Sequence, residues 1–301
     1  MTVTNRPLEE KLTLLWHDHF AVNYRGCEDA FLLYQQNQMF RKNAAGNFAD
    51  LALGIVRDPA MIVFLNNDRN RKQSPNENLA RELMELFTLG VGNYSETDIK
   101  EGARALTGYH RDDNDFRFAK YAHDESTKTI LGNRGAYNGD AFVKICLAQS
   151  ACSEFIAFKL YRHFVADVPD FDDLTREQEL VVKRLAADLR RHQYELKPVL
   201  KELFLSKHFY DASVRGQKIK SPVALVVGIL RVLDTPDRNT KVLNHALRTM
   251  GQELFNPPNV AGWPGGRAWI NTATLFARQN TATYLITGKL PYEDDWRRER
   301  I

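Results

Sequence analysis

The sequence predicts a mainly α protein: a single multi-helix globular domain over residues 1–301, with about ten helices and one small β-hairpin near residues 115–131. Three observations support this class. Apolar residues recur at three- and four-residue steps through most of the chain, as they do on the buried face of a helix. Residues that cap helix ends precede many of these segments. No internal repeat and no low-complexity linker divides the chain, which favours one domain.

The first helices follow in order from the N-terminus. Pro7 fits the first turn of a helix whose apolar side runs as far as His19. A second helix is predicted from Asp29 to Ala45. Asn47 and Asp58 have the side chains of N-cap residues, which accept hydrogen bonds from the free N–H groups of a first helical turn. Two further helices are therefore predicted to begin at these residues.

Later helix starts are predicted from the same kinds of residue. They lie at Ser74, Ser95, Asn138, Ser153, Thr175, Ser221 and Asn271. The stretch from Asp115 to Leu131 departs from the helical pattern. Phe116 and Phe118 alternate with polar residues there, and a second extended segment follows after a turn-like gap, so the stretch predicts a hairpin.

Composition limits the classes of partner. Lys plus Arg total 41 against 38 for Asp plus Glu, and a net charge of +3 gives no reason to expect nucleic acid. No apolar run is long enough for a membrane span. Met1 to Glu10 lacks the apolar core of a signal peptide, so the chain as written carries no export signal and its compartment is not indicated.

Neither a metal nor a cofactor is indicated. Cys27, Cys146 and Cys152 are odd in number and lack zinc-like spacing, which favours buried free thiols. His17 and His19 are two residues apart, so on a helix they point about 200° away from each other and cannot share one ion. His19 continues the apolar side and is predicted to be a hydrogen-bonded core histidine or a catalytic group. His17 is predicted to leave that side.

The segment from Ser74 to Gly90 combines helix signals with an unusual interior. Ser74, Pro75 and Glu77 suit a capped start, and Gly90 suits a left-handed stop. Its interior carries four polar residues among leucines: Asn78, Arg81, Glu82 and Glu85. They form either a surface ion-pair network of small energetic value or an enclosed polar site.

Two further stretches carry candidate side chains. His123 and Asp124 lie in the least helical region, where a carboxylate could tune a histidine for acid-base work, although a simple turn would use the same residues. The Pro- and Gly-rich loop at residues 255–270 contains Trp263, Arg267 and Trp269. These three could stack on a sugar or bind an anion, or the tryptophans could only fill the core. The usual phosphate-loop, nucleophile-elbow and zinc-protease motifs are missing.

Several blocks together resemble the bacterial family known as domain of unknown function 1800. They are LLWHDHF (residues 14–20), QNQMFR (36–41), GNF (46–48), DPAM (58–61), PNENLARELMELFTLG (75–90), ARALTG (103–108), His123-Asp124 before KTILG (128–132), residues 159–165 and residues 256–270. The resemblance implies a helical protein without an assigned activity. It also implies frequent export and a sulfatase-like partner protein. The chain begins near the LLWHDHF block, so it looks N-terminally short, and Phe87 replaces a histidine that many members carry.

Two functions fit these features. The first is an enzyme with a polar cleft that acts on a polar or glycan-like envelope substrate by hydrolase- or lyase-type acid-base chemistry. Its catalytic candidates are His19, Glu82, His123 and Asp124. Its candidates for substrate binding are Asn78, Arg81, Trp263, Arg267 and Trp269. The alternative is a non-catalytic binding or assembly protein that works with the sulfatase-like partner. Convergence of His19, Glu82 and His123 would favour the enzyme.

Overall fold

The computed structural model describes residues 1–234 and 239–289. The helices in this part are α1 Pro7–His19, α2 Tyr24–Cys27, α3 Ala30–Lys42, α4 Phe48–Val56, α5 Pro59–Phe64, α6 Asn78–Glu82, α7 Glu96–Ala105, α8 Gly139–Leu147, α9 Ser150–Phe164, α10 Arg176–Arg191, α11 Leu196–Leu205, α12 Pro222–Leu233, α13 Thr240–Thr249 and α14 Thr272–Thr287. The strands are β1 Tyr109–Asp112, β2 Asp115–Phe118, β3 Lys128–Ile130 and β4 Asn133–Gly135. The predicted mainly α class is confirmed. The predicted single domain reaches residue 301, beyond the described residues, and stays a prediction.

Most predicted helix starts are confirmed. The N-caps whose side chains accept first-turn N–H groups are Asp29, Asn47, Asp58, Ser95, Asn138, Thr175, Ser221 and Asn271. Ser153 is an exception, because it lies one turn inside α9 and its hydroxyl donates to the carbonyl of Ser150 at 2.8 Å. A serine in this position hydrogen-bonds back along the helix instead of capping it.

Ser74 is the second exception. Its N–H donates to the carbonyl of Arg71 in a tight turn, and α6 begins only at Asn78. The reason is Asn70, whose buried side chain accepts the N–H of Asn76 at 3.0 Å and so holds the preceding residues in the turn. Residues 83–88 then continue α6 as a π-helix, and Gly90 follows with φ +79°, as predicted for the stop.

The expected hairpin is in fact two hairpins. β2 and β3 occupy the two predicted extended segments, but they do not pair with each other. β2 pairs with β1 across a two-residue loop at Asp113, and β3 pairs with β4 across Leu131 and Gly132. All three residues have positive φ, between 48° and 78°, and such tight turns close hairpins between adjacent strands.

Buried apolar side chains form two clusters. The larger runs from Leu12 in α1 to Val214, and it includes the three free cysteines, which are buried as predicted. The smaller joins α12, α13 and α14, from Val223 to Leu285. Leu14 of α1 packs against this smaller cluster. Helix α1 therefore contacts both clusters.

Candidate functional site

A cavity of about 910 Å³ lies where α1, the end of α9 and α12 meet the loop at residues 261–269. Its lining residues on α1 recur at helical steps from Pro7 to His19, and those on α12 from Val223 to Arg231. The end of α12 lies near the start of α1, because Arg231 near the end of α12 donates to backbone carbonyls of residues 1, 2 and 4, just before α1. The cavity thus follows one face of each helix.

Asp18 lies at the C-terminal end of α1, at one end of this cavity. Its Oδ1 accepts the N–H of Trp263 at 2.7 Å. Burial raises the pKa of Asp18 to about 6, against the opposing effects of that hydrogen bond and of the charges on Lys159 and Arg162. The side chain still borders the cavity and is only half-buried. Asp18 is therefore a carboxyl group that titrates close to neutral pH.

Lys159 of α9 borders the same end of the cavity. Its Nζ lies 5.0 Å from the ring centre of Phe155, and among the described residues no carboxylate is within 4.0 Å of it. Burial lowers the pKa of Lys159, and the charge of Asp18 opposes this shift. An ammonium group without a close counter-ion in such a place is available to pair with a bound anion.

The end of α9 is fixed to the segment before α12 by Asp167. Its carboxylate accepts from Lys218 Nζ at 2.8 Å and from the N–H of Ile219 at 2.6 Å. Lys218 also donates to the carbonyl of Arg162 at 2.7 Å. The Arg162 side chain in turn donates to the carbonyl of Pro264 at 2.7 Å. These bonds hold the cavity wall in place.

Positive charge exceeds negative charge in the lining. Lys218 is neutralised by Asp167, and Glu10 is paired with Arg41 outside the cavity at 2.8 Å. Six lining cations have no carboxylate within 4.0 Å among the described residues: Lys11, Lys159, Arg162, Arg215, Lys220 and Arg231. Hydrogen bonds from Arg162 and Arg231 go to neutral carbonyls, which do not cancel their charge. The cavity therefore favours anions.

His19 is buried and lines the cavity, as a core histidine or a catalytic group would. Its Nε2 lies 3.0 Å from the carbonyl of Phe87, which can only accept, so Nε2 is assigned the proton. Nδ1 is then an acceptor, and it has no partner among the described residues. Burial, followed by the charge of Lys159, lowers the pKa of His19 to about 3. It is neutral at pH 7.

His17 lies on a different side of α1 from His19, as residues two apart on a helix do, but that side is buried as well. It is 3% exposed, and its ring lies 5.2 Å from that of Phe255 and 5.5 Å from that of Trp263. The loop at residues 255–270 covers this second side of the helix. A helix buried on two sides cannot be recognised from one apolar stripe.

The three loop residues predicted to bind substrate differ in burial and in whether they line the cavity. Trp263 and Trp269 are each 5% exposed, so they fill the core, yet both also line the cavity. Arg267 is exposed and is absent from the lining. Both tryptophans are therefore buried, as the core alternative predicts, and the binding of substrate by Trp263, Arg267 and Trp269 stays a prediction.

The polar residues of α6 lie elsewhere. Arg81 forms a double hydrogen bond with Glu96, both at 2.9 Å, and its side chain is 35% exposed. Glu82 is half-buried, and burial together with the nearby charge of Glu85 raises its pKa. Asn78 is exposed. None of these residues lines the cavity, and their catalytic or substrate-binding role stays a prediction.

His123 and Asp124 also lie outside the cavity lining. His123 Nδ1 is 2.8 Å from the carbonyl of Thr107, and burial lowers the pKa of this histidine. Asp124 accepts from Arg104 Nε at 2.7 Å. These contacts attach the segment before β3 to the end of α7, so they account for both residues structurally. Of the four catalytic candidates, His19 alone borders the cavity.

Asp18, Lys159 and Arg162 were not among the site residues predicted from the sequence. A signal was present in each case. Asp18 lies between His17 and His19, which were considered as metal ligands. Lys159, Arg162 and His163 are three and four residues apart on an otherwise apolar helix, which places them on one face. In residues 1–234 and 239–289, no three His, Cys, Asp or Glu side chains are grouped to hold a metal ion.

The fold and cavity define a mainly α protein with a cationic cavity between helices. Within the described part, a helix capable of crossing a membrane alone does not occur; α8 and α9 have enough apolar length only as a pair, bent by 75°. Residues 1–299 match the family described as protein of unknown function (DUF1800), and the chain belongs to that family. The resemblance seen in the sequence is confirmed. No curated protein and no solved structure matches the chain.

Proposed function

We propose that the protein is an enzyme whose active site is the cavity between α1, α9 and α12. Its substrate is polar or glycan-like, such as an envelope component, and the reaction is of the hydrolase or lyase type. The observation that carries this proposal is Asp18, a carboxyl group at the cavity end whose pKa is about 6, beside the charges of Lys159 and Arg162.

The residue types suit acid-base catalysis. A carboxyl group with a pKa near the working pH can both accept and return a proton. At pH 7 Asp18 is mainly ionised, so it would act first as the base. Lys159 would stabilise negative charge that develops on the substrate, because no carboxylate of the described residues lies within 4.0 Å of its Nζ. His19 is too weak a base to take up a proton near pH 7, because its pKa is lowered to about 3. Its role would be to accept a hydrogen bond from the substrate through Nδ1.

Substitution of Asp18 tests the proposal. Purified protein is incubated with peptidoglycan fragments and acidic and neutral polysaccharides, and new reducing ends or unsaturated products are measured. We expect Asp18→Asn to lower the rate about 100-fold or more, the usual contribution of a positioned acid-base group. We also expect the wild-type rate to fall as the pH drops through about 6, the pKa of Asp18, because protonation removes the base.

Asp172→Asn is the matched control, since Asp172 is an exposed carboxylate outside the cavity lining. It should retain the wild-type rate. Absence of product from every substrate, or equal rates for the Asp18 and Asp172 variants, would contradict the proposed enzyme.

The alternative is a non-catalytic binding or assembly protein that works with a sulfatase-like partner. Phe31 and Tyr34 favour it, because they lie one turn apart on α3 and are 50% and 58% exposed. Neighbouring exposed aromatic side chains are common where proteins bind one another. This alternative predicts that a cellular phenotype survives Asp18→Asn but not Phe31→Ser combined with Tyr34→Ser.

A further inference from the structure

The cavity is lined by apolar side chains as well as by cations. Leu14 and Leu15 of α1 line it on one side, and Val223, Ala224 and Val227 of α12 line it on the other. From Pro7 to His19 the lining on α1 extends about 18 Å at 1.5 Å per residue. The cavity is therefore long enough to hold an extended apolar chain.

Gly228 is an unusual residue in this wall. It lies in the interior of α12, where glycine costs about 0.5–1 kcal/mol relative to alanine. A Cβ placed on it would meet no heavy atom of the described residues within 4 Å. Packing against the described residues therefore does not explain the missing side chain. A ligand that lies against the helix backbone would explain it.

Several of the lining cations lie together at one end of the wall, although Lys11 of α1 and Arg231 of α12 line the cavity further along. Asp167 attaches the segment before α12 to the end of α9, and Asp18 at the end of α1 lies within the field of Lys159 and Arg162. The cationic end is thus at the start of α12. Val227 and Gly228 follow one to two turns further along that helix.

We propose that the cavity binds an amphipathic anion, whose acidic group pairs with Lys159 and whose apolar chain lies between α1 and α12 against Gly228. This inference rests on the proposed function because it concerns the same cavity, and it adds that a polar substrate bound there also carries an acidic group and an apolar chain. Binding is measured without turnover, so the two proposals fail separately. Binding of the probe without any catalytic activity would contradict only the proposal that the protein is an enzyme.

Three probes distinguish the contribution of the acidic group from that of the apolar chain. They are dodecyl phosphate below its micellar concentration, inorganic phosphate and dodecanol. Isothermal titration calorimetry on the full chain gives each affinity. We expect dodecyl phosphate to bind at least about tenfold more tightly than either of the others, since it alone uses both parts of the wall. Equal affinity for dodecanol, or for inorganic phosphate, would overturn the proposal.

Two variants locate the bound probe. Lys159→Met should weaken dodecyl phosphate about tenfold and leave dodecanol unchanged, because it removes only the charge. Gly228→Phe should weaken both, because the ring would fill the space against α12. Lys183→Met and Val232→Phe are matched controls on exposed surfaces and should change neither affinity.

Circular dichroism and urea unfolding establish that the variants fold. If Gly228→Phe does not fold, Gly228→Leu replaces it, since the smaller side chain still occupies the open space. Dodecyl phosphate binding that survives both Lys159→Met and the Gly228 variant would overturn the proposal.

Discussion

Asp18 depends on a single glycine for its hydrogen bond from the loop. Gly262 has φ +82°, and a Cβ placed there would lie 2.4 Å from both the backbone oxygen and Oδ1 of Asp18. The next residue, Trp263, donates its N–H to that same carboxylate. Close approach of two backbones explains the glycine, and it also explains how the loop reaches the end of α1.

Gly262→Ala should therefore be more destabilising than its backbone conformation alone requires. Gly216 is the matched control, because its φ is +77° and an added Cβ would meet nothing within 4 Å among the described residues. Gly216→Ala should cost roughly 1–2 kcal/mol of unfolding free energy, the penalty of a left-handed backbone. Gly262→Ala should cost about 2 kcal/mol more, through the clash.

Urea unfolding measures both free energies. Equal values for the Gly262 and Gly216 variants would mean that the loop moves away from Asp18 without cost. At this scale the sequence identified the Gly-rich loop and its tryptophans. It did not identify Asp18, because the partner of that carboxylate is a backbone N–H 245 residues away in the chain.

At the scale of elements, α12 combines a strong helix sequence with one weak position. Its start is capped by Ser221 with Pro222 in the first turn, and these signals are local. Gly228 weakens the helix interior, and a Cβ at this position would meet no atom of residues 1–234 and 239–289 within 4 Å. Alanine in place of Gly228 is expected to stabilise α12, and its methyl group would take up space in the cavity.

Gly228→Ala should raise the free energy of unfolding by about 0.5–1 kcal/mol, because alanine loses less backbone entropy and its Cβ would meet no neighbour in the part of the chain that the structure describes. Gly54 in α4 provides the comparison, since a Cβ there would lie 3.1 Å from Met39 Sδ. Gly54→Ala should gain less. A loss of stability in Gly228→Ala, measured by urea unfolding, would contradict the open space beside α12.

Helix starts were predictable where the N-cap side chain bonds to the first turn of the helix that it begins. Ser95, Thr175 and Asn271 each form a capping box, whose reciprocal hydrogen bonds join residues within four positions of one another. The start at Ser74 was wrong because Asn70 holds the preceding turn, and Asn70 is itself held by the carbonyl of Ala103 at 2.9 Å. A tertiary contact overrode the local signal.

At the scale of the whole molecule, α1 joins the two apolar clusters. Leu12, Leu15 and Trp16 belong to the larger cluster, while Leu14 packs against the smaller one. Polar contacts add to this junction, among them Arg231 with the backbone before α1 and Trp263 with Asp18. The cavity lies along the same junction, so its shape depends on how α12 is held against α1.

Leu14→Ala should loosen α12, α13 and α14 more than the rest of the protein. The substitution should cost about 2 kcal/mol, by removing apolar contacts with the smaller cluster. Hydrogen exchange should become faster in these helices and stay unchanged in α9 and α10, because local opening follows cooperative units. Leu12→Ala is the control and should act on the larger cluster. If Leu14→Ala made hydrogen exchange equally faster in all of these helices, α9 and α10 included, the two clusters would unfold together, contrary to the prediction.

The sequence by itself determined the mainly α class, most helix starts, the buried cysteines and the family, since each depends on local pattern or on matching blocks. Only the tertiary structure decided which strands pair, that His17 is buried, and that Lys159 and Asp18 border one cavity. The physical reason is distance along the chain. Residues from α1, α9 and α12 meet only after packing, and the pKa of Asp18 is set by that burial, which no local pattern encodes.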